Sequence, residues 1–195
     1  MMERTIKVLL VEDDPFWQDN ISKYIEREGH NIEVAFVTGS KEEALRFAEE
    51  NEAIDVVLLD LNLSRAALDG IELIEQLSRL GSKVIALTAI MDEHVIVSSF
   101  ESGAVNYMNK SSIYDIIAAI KDAAEGKTAI HHDASPALIA RIKEEKKVRI
   151  LTPSEQEIYY LQQKGLSKKA IADTLLKSTD TVKKHMQSIK KKLNL

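Results

Sequence analysis

Five side chains able to do chemistry stand at wide intervals along the first part of the chain: the acidic pair Glu12 and Asp13, then Asp60, Thr88 and Lys110. Each ends or follows a short aliphatic run. Three carboxylates brought together repel and raise one another's pKa values unless a cation joins them. An all-oxygen donor set with water positions left open suits Mg2+, which binds through one or two carboxylates plus phosphate oxygens. A lysine adds a point charge for an anion, and a threonine adds a hydroxyl. Singly, each residue has a plainer role: Asp13 at a helix start ahead of Pro15, Thr88 as a β-branched strand residue, Lys110 on a surface. Together, each at the tip of its own strand, they point to a Mg2+-assisted anion site.

The elements that must position them follow from periodicity. Residues 6–11, 32–38, 56–60, 84–88 and 105–108 read as strands, and residues 16–28, 41–51, 71–80, 92–102 and 113–125 as helices. Near-continuous Val/Ile/Leu runs are those of a parallel sheet covered on both faces. Ser40 with Glu43 has the form of a capping box, and Gly29, Gly81 and Gly103 stand where helices should stop. Five βα units predict a doubly wound, flavodoxin-like α/β sheet of order 2-1-3-4-5, with its ligand crevice at the carboxyl ends of the strands.

Composition narrows the class. Apolar residues make up 45% and charged residues 29% of the 195 residues, an ordinary balance for a chain that can bury a core. Apolar runs such as residues 8–11 and 56–59 are far too short to span a bilayer, so no membrane partner is expected. The absence of cysteine excludes disulfides and thiolate metal sites, and a cytoplasmic location is expected. The net charge of −5 hides an asymmetry. Residues 1–130 hold 12 basic against 24 acidic side chains, and residues 131–195 hold 14 against 7. An acidic front and a basic tail suggest two domains, the second a candidate for nucleic acid.

Residues 129–149 read as a linker with a short helix opened by Ser135-Pro136 and carrying a stripe of Leu138, Ile139 and Ile142. The run 143–149 reads as a solvated face. His131-His132-Asp133 has metal-ligand chemistry, but adjacent histidines on an extended segment point in opposite directions, which favours a polar linker. Beyond it, Thr152-Pro153-Ser154-Glu155 is a capping box with proline at N1, opening a helix to about residue 164. Ser167 can cap a second helix, and Ser178 or Thr179 a third running to residue 193. Three short helices with a basic last one form a helix-turn-helix pattern.

Residues 8–15 (VLLVEDDP), 58–63 (LLDLNL), 86–89 (ALTA) and 103–110 (GAVNYMNK) resemble the receiver domain of two-component response regulators. The resemblance implies that Asp60 accepts a phosphoryl group from a sensor histidine kinase. It implies that Glu12, Asp13, Asp60 and the backbone carbonyl of Asn62 hold Mg2+, that Thr88 and Lys110 contact phosphoryl oxygens, and that Tyr107 is the aromatic switch. The chain departs from the family pattern in residues 64–68, where Ser64 replaces a usual proline and the loop is longer. Residues 151–158 (LTPSEQEI), 165–172 (GLSKKAIA) and 178–185 (STDTVKKH) resemble the LuxR-type helix-turn-helix of NarL/FixJ regulators. By that resemblance Lys183, Lys184 and Gln187 face the major groove. Thr181, Lys168, Lys169 and residues 190–192, Lys190 among them, are candidates for phosphate, and His185 packs in the helix junction. The family's last, dimerising helix is expected to be missing.

The expectation is therefore a receiver over residues 1–128, a linker over 129–149 and a DNA-binding domain over 150–195. Its function would be phosphorylation-controlled transcription regulation rather than enzymatic turnover. Double-stranded promoter DNA is the expected partner, and a phosphorylation-dependent homodimer should form through residues 92–125 of the receiver. Two rivals stand beside this reading. A phosphatase using Asp60-Leu61-Asn62 lacks the second acid at Asn62 that leaving-group chemistry needs. An orphan regulator acting without phosphorylation would keep both domains and uncouple them.

Overall fold

The computed structural model describes residues 4–50, 54–63, 69–127 and 129–193. They divide into two units, Met1–Leu138 and Ile139–Leu195.

In the first unit, strands β1 (Ile6–Val11), β2 (Ile32–Thr38), β3 (Val56–Leu59), β4 (Lys83–Thr88) and β5 (Asn106–Asn109) alternate with helices α1 (Pro15–Glu28), α2 (Lys41–Glu50), α3 (Asp69–Arg79), α4 (Glu93–Glu101) and α5 (Ile116–Ala124). All strand pairs are parallel, in the order β2-β1-β3-β4-β5. The pleat sends alternate residues to opposite faces. Leu9, Val11, Val57 and Leu59 enter one core with Leu73, Ile74 and Leu77 of α3. Val8, Leu10, Val56 and Leu58 enter the other with Ile21 and Ile25 of α1 and Ile116 and Ile120 of α5. Full burial of such a Leu or Ile is worth about 1.5–3 kcal/mol, so both faces hold the sheet.

Local chemistry fixes the ends that matter. Asp14 caps α1 by accepting from the Phe16 N–H at 2.9 Å, with Pro15 at the first helical position. Ser40 accepts from the Glu43 N–H at 3.3 Å, but the Glu43 carboxylate accepts from the Thr38 hydroxyl instead of closing the box. The expected helix over 113–125 is split. Residues Lys110–Asp115 form a 3-10 turn capped by the Asn109 side chain, and Ser112 leaves the helical region before α5 begins. Lys110 must turn back over the sheet edge, and a regular helix from that point would carry it away.

Helix α6 (Ser135–Arg149) begins one residue earlier than the capping pattern suggests. Both the N–H and the hydroxyl of Ser135 donate to the His131 carbonyl, so Ser135 lies inside the first turn. Within the stripe read from the sequence, Ile139 and Ile142 are exposed, and the residues that α6 buries are Ala137 and Val148.

The second unit adds α7 (Pro153–Gln163), α8 (Lys168–Thr174) and α9 (Thr179–Leu193). Ile158, Tyr159, Ile171, Val182 and Ile189 form its core, with Val148 and Leu151 beside them. Thr152 and Glu155 make the full capping box, and Ser167 caps α8. Ser178 rather than Thr179 starts α9, its hydroxyl accepting from the Thr181 N–H at 3.1 Å. No helix among the described residues is long and apolar enough to cross a membrane.

Candidate functional site

Strand register dictates what meets at the carboxyl edge. Val11 pairs with Leu59, and Leu59 with Ala86. Glu12 and Asp60, each one residue further, therefore emerge side by side. Thr88 pairs with Asn109, which puts Lys110 on the next tip. The Lys110 ammonium lies 2.6 Å from Glu12 Oε2 and 2.7 Å from Asp60 Oδ2, and all three residues are buried. Burying these charges is tolerable only because they are paired. The Trp17 ring adds a face to the ammonium, with its centroid 5.2 Å from Nζ. Trp17 is the chain's only tryptophan, and its isolated position in the sequence gave no signal of this contact.

One ammonium leaves the crevice negatively charged. Burial holds the Glu12 carboxyl above its ordinary value, with Lys110 opposing the shift and the Asp60 charge reinforcing it. One oxygen each from Glu12, Asp13 and Asp60 lie within 4.8 Å of one another. This all-oxygen set, short of positive charge and with Asp13 exposed, fits a small hard divalent cation. Asn62 is exposed, and its N–H donates to Asp60 Oδ1 at 3.3 Å. A Cβ at Gly70 would collide with the Leu61 backbone, so the start of α3 can approach Leu61 only as glycine. The long loop of residues 64–68 lies outside the described residues.

Thr88 and Tyr107 are joined through one residue, Ile90. The Thr88 hydroxyl accepts from the Ile90 N–H at 3.4 Å, and the Tyr107 hydroxyl donates to the Ile90 carbonyl at 2.6 Å. Burial pushes the Tyr107 phenol well up, with Asp60 and Asp92 adding to the shift, so it remains a donor.

The His131 segment departs from the extended reading. Residues 132–134 form a turn whose Ala134 and Ser135 N–H groups return to the His131 carbonyl. That turn brings the two imidazoles together, centroids 4.0 Å apart, instead of sending them to opposite sides. His131 Nδ1 lies 3.0 Å from Asp133 Oδ2, and Nε2 lies 3.1 Å from Asp115 Oδ2. The segment is docked on β5: Asn106 Oδ1 accepts from the His131 N–H, and Asp133 accepts from the Asn109 N–H, both at 2.9 Å. Ala134 and Ala137 complete the core of the first unit, so this part of the expected linker packs with that unit.

In the second unit, Lys183, Lys184, Gln187 and Lys190 are exposed along α9, and Lys168 and Lys169 are exposed at the start of α8. Thr181 is partly covered and bonded to Ser178, and His185 is partly buried. Lys192, read as a phosphate candidate, instead lies 2.7 Å from Glu155 Oε2. Glu155 also accepts from Ser188 at 2.6 Å and from the Thr152 N–H at 2.8 Å. Lys192, Ser188 and the Thr152 peptide hold its carboxyl at about 2. Ser188 and Lys192 lie too far along the chain for the capping-box pattern to reveal this hub.

The chain matches the response regulator receiver domain over residues 8–121 and the luxR family of bacterial regulatory proteins over residues 149–195. It is 30% identical over 197 residues to the transcriptional regulatory protein LiaR of Bacillus subtilis, covering 97% of this chain and 92% of that protein. To the nitrate/nitrite response regulator protein NarL of Escherichia coli it is 28% identical over 196 residues, covering 96% and 89%. The structure of RcsB from Salmonella enterica serovar Typhimurium, bound to promoter DNA in the presence of the phosphomimetic BeF3−, superposes with a TM-score of 0.63 at 21% identity over 97% of this chain and 92% of that one. That likeness concerns the fold. The protein belongs to the two-component response regulators that join a receiver domain to a LuxR-type DNA-binding domain.

Proposed function

We propose that Asp60 accepts a phosphoryl group from a sensor histidine kinase and that the modification controls binding to double-stranded promoter DNA in the cytoplasm. The observation that carries this reading is the buried Glu12–Lys110–Asp60 cluster at the strand tips. Glu12, Asp13, Asp60 and the Asn62 carbonyl would hold Mg2+, which supplies charge neutralisation during transfer. An Asp60 carboxylate oxygen forms the new bond to phosphorus as the phosphorus–nitrogen bond of the donor imidazole breaks. Lys110 holds the developing negative charge. The Thr88 hydroxyl, drawn to a phosphoryl oxygen, releases the Ile90 N–H. Because Tyr107 is bonded to the carbonyl of the same residue, its ring re-packs against α4 and β5. That surface, within residues 92–125, is where the phosphorylated receivers would pair.

In the DNA-binding unit, Lys183, Lys184 and Gln187 read base edges in the major groove, while Lys168, Lys169, Thr181 and Lys190 contact phosphates. The proposed domain organisation is a receiver over residues 1–128, a connecting segment over 129–149 whose first part, to Leu138, packs with the receiver, and a DNA-binding domain over 150–195.

A small-molecule phosphodonor with Mg2+ should add one phosphoryl group to the protein and none to Asp60→Asn, a nearly isosteric change. Sedimentation and DNA affinity should rise only in the wild type. A full adduct on Asp60→Asn by intact-mass spectrometry would reassign the acceptor, and DNA affinity blind to the adduct would favour an uncoupled regulator. Lys183→Ala and Lys184→Ala should each cost about 1–3 kcal/mol on the cognate site and relax specificity there. Lys168→Ala should weaken all sequences alike and lower the salt slope by about one. Fluorescence anisotropy across a salt series separates the two behaviours, and equal slopes for all three variants would misplace the recognition helix.

A further inference from the structure

Outside the phosphoacceptor crevice, a second cluster of ligating side chains lies where the chain leaves the receiver. We propose that Asp115, His131 and His132 form a site for a borderline divalent transition metal of the Zn2+ kind, with Asp133 orienting His131 from behind.

Proximity is the first support. One ligating atom from each of Asp115, His131 and His132 lies within 4.8 Å of the others. Asp115 Oδ2 and His131 Nε2 are already 3.1 Å apart. Two ligands held about 2.0–2.2 Å from one tetrahedral ion stand roughly that far apart. The third ligand lies within 4.8 Å of both. His132 and Asp115 are the exposed members of the set and have freedom to adjust.

Orientation is the second. The His131 side chain is 9% exposed, and its backbone N–H is anchored on buried Asn106. Its Nδ1 lies 3.0 Å from Asp133 Oδ2 and accepts from the Asp133 N–H at 3.3 Å, so Asp133 fixes the ring from that side. Metal on Nε2 requires the tautomer with its proton on Nδ1, and the Asp133 carboxylate stands within reach to receive that proton, as in carboxylate–histidine–metal sites.

Access is the third. The cluster opens on a cavity of about 370 Å³ lined by Asn106, Asp115, Asp122, His131 and His132 among others, with room for water as a fourth ligand. Two imidazoles and a carboxylate select Zn2+, Co2+ or Ni2+ over Mg2+, whose preferred donors are all oxygen. The two sites of the receiver are thus separated by donor type. Metal at this one would staple the 3-10 turn that follows Lys110 to the segment that opens α6.

The test uses the full chain with Mg2+ in large excess, so that the acidic crevice is committed. Isothermal titration with Zn2+ should show one site per chain, and Co2+ in its place should give visible d–d bands. His132→Ala and Asp115→Asn, both at exposed positions, should keep the circular dichroism of the wild type and abolish the bands. Asp133→Asn should retain them with affinity about 10–100-fold lower. Zn2+ binding unchanged in His132→Ala would place the metal elsewhere, for example on His30, His94 or His185, and overturn the proposal. Zn2+ fully displaced by Mg2+, or no Zn2+ bound at all, would overturn it equally.

Discussion

Lys110→Met should destabilise the receiver by about 3–5 kcal/mol at neutral pH without divalent ions, because it removes the partner of two buried carboxylates at once. The loss should shrink in two ways that a packing defect would not show. Added Mg2+ should recover part of it, since a cation held by Glu12, Asp13 and Asp60 replaces the missing ammonium. Acid should recover part of it too. The Glu12 carboxyl already sits above its ordinary 4.5 in the folded chain through burial, and without Lys110 nothing of that size opposes the shift. A raised carboxyl penalises the folded state above its folded pKa, and the penalty fades as pH falls through that value. Urea unfolding followed by Trp17 emission reads the receiver alone, because the second unit has no tryptophan. A midpoint insensitive to both Mg2+ and pH in this variant would mean that the cluster does not carry charge as described.

The second large effect belongs to the DNA-binding unit. Glu155→Ala should cost it about 2–4 kcal/mol, because one carboxylate closes the capping box of α7 and ties Ser188 and Lys192 of α9 to it. DNA affinity should fall with it, since α9 carries the proposed reading face. The same residue sets an acid limit. Lys192, Ser188 and the Thr152 peptide hold the carboxyl down at about 2, from an ordinary 4.5. A depressed carboxyl stabilises the fold fully above the unfolded value and loses that contribution as pH falls towards the folded one. The unit should therefore weaken between about pH 4.5 and 2. Helical circular dichroism, compared with Trp17 emission, separates the two units. If Glu155→Ala and wild type lost helicity at the same urea concentration, the hub would have no energetic weight.

Much of the receiver was legible because its determinants are local or repeat along the chain. Val/Ile/Leu runs gave the strands, and right-handed parallel connections leave few ways to order them. Once the order is 2-1-3-4-5, a residue just beyond a strand end must lie at the crevice, which is why Glu12, Asp60, Thr88 and Lys110 could be placed from position alone. What escaped depends on contacts without a period. Trp17 meets Lys110 across the top of α1, and Glu155 meets Lys192 at the far end of α9. The helix expected from residue 113 was misjudged because the need to aim Lys110 inward overrides the helical pattern of the residues after it. The histidine pair was misjudged for a simpler reason. Two-residue alternation holds in extended chain, and the segment is a turn closed on the His131 carbonyl.

The Asp133 carboxylate on the Asn109 peptide bears on how such a protein may be dissected. The last helix that covers the sheet ends at Ala124. A cut there would strip Ala134 and Ala137 from the core, leave the Asn109 N–H without Asp133, and take the His131 N–H from Asn106. The two hydrogen-bond losses fall on β5, and Asn109 is one residue from Lys110. A fragment ending at Ala124 is thus a wounded receiver, and its phosphorylation rates would describe the wound. The intact unit extends to Leu138, and fragments, fusions and chimeras that swap output domains should be joined beyond it.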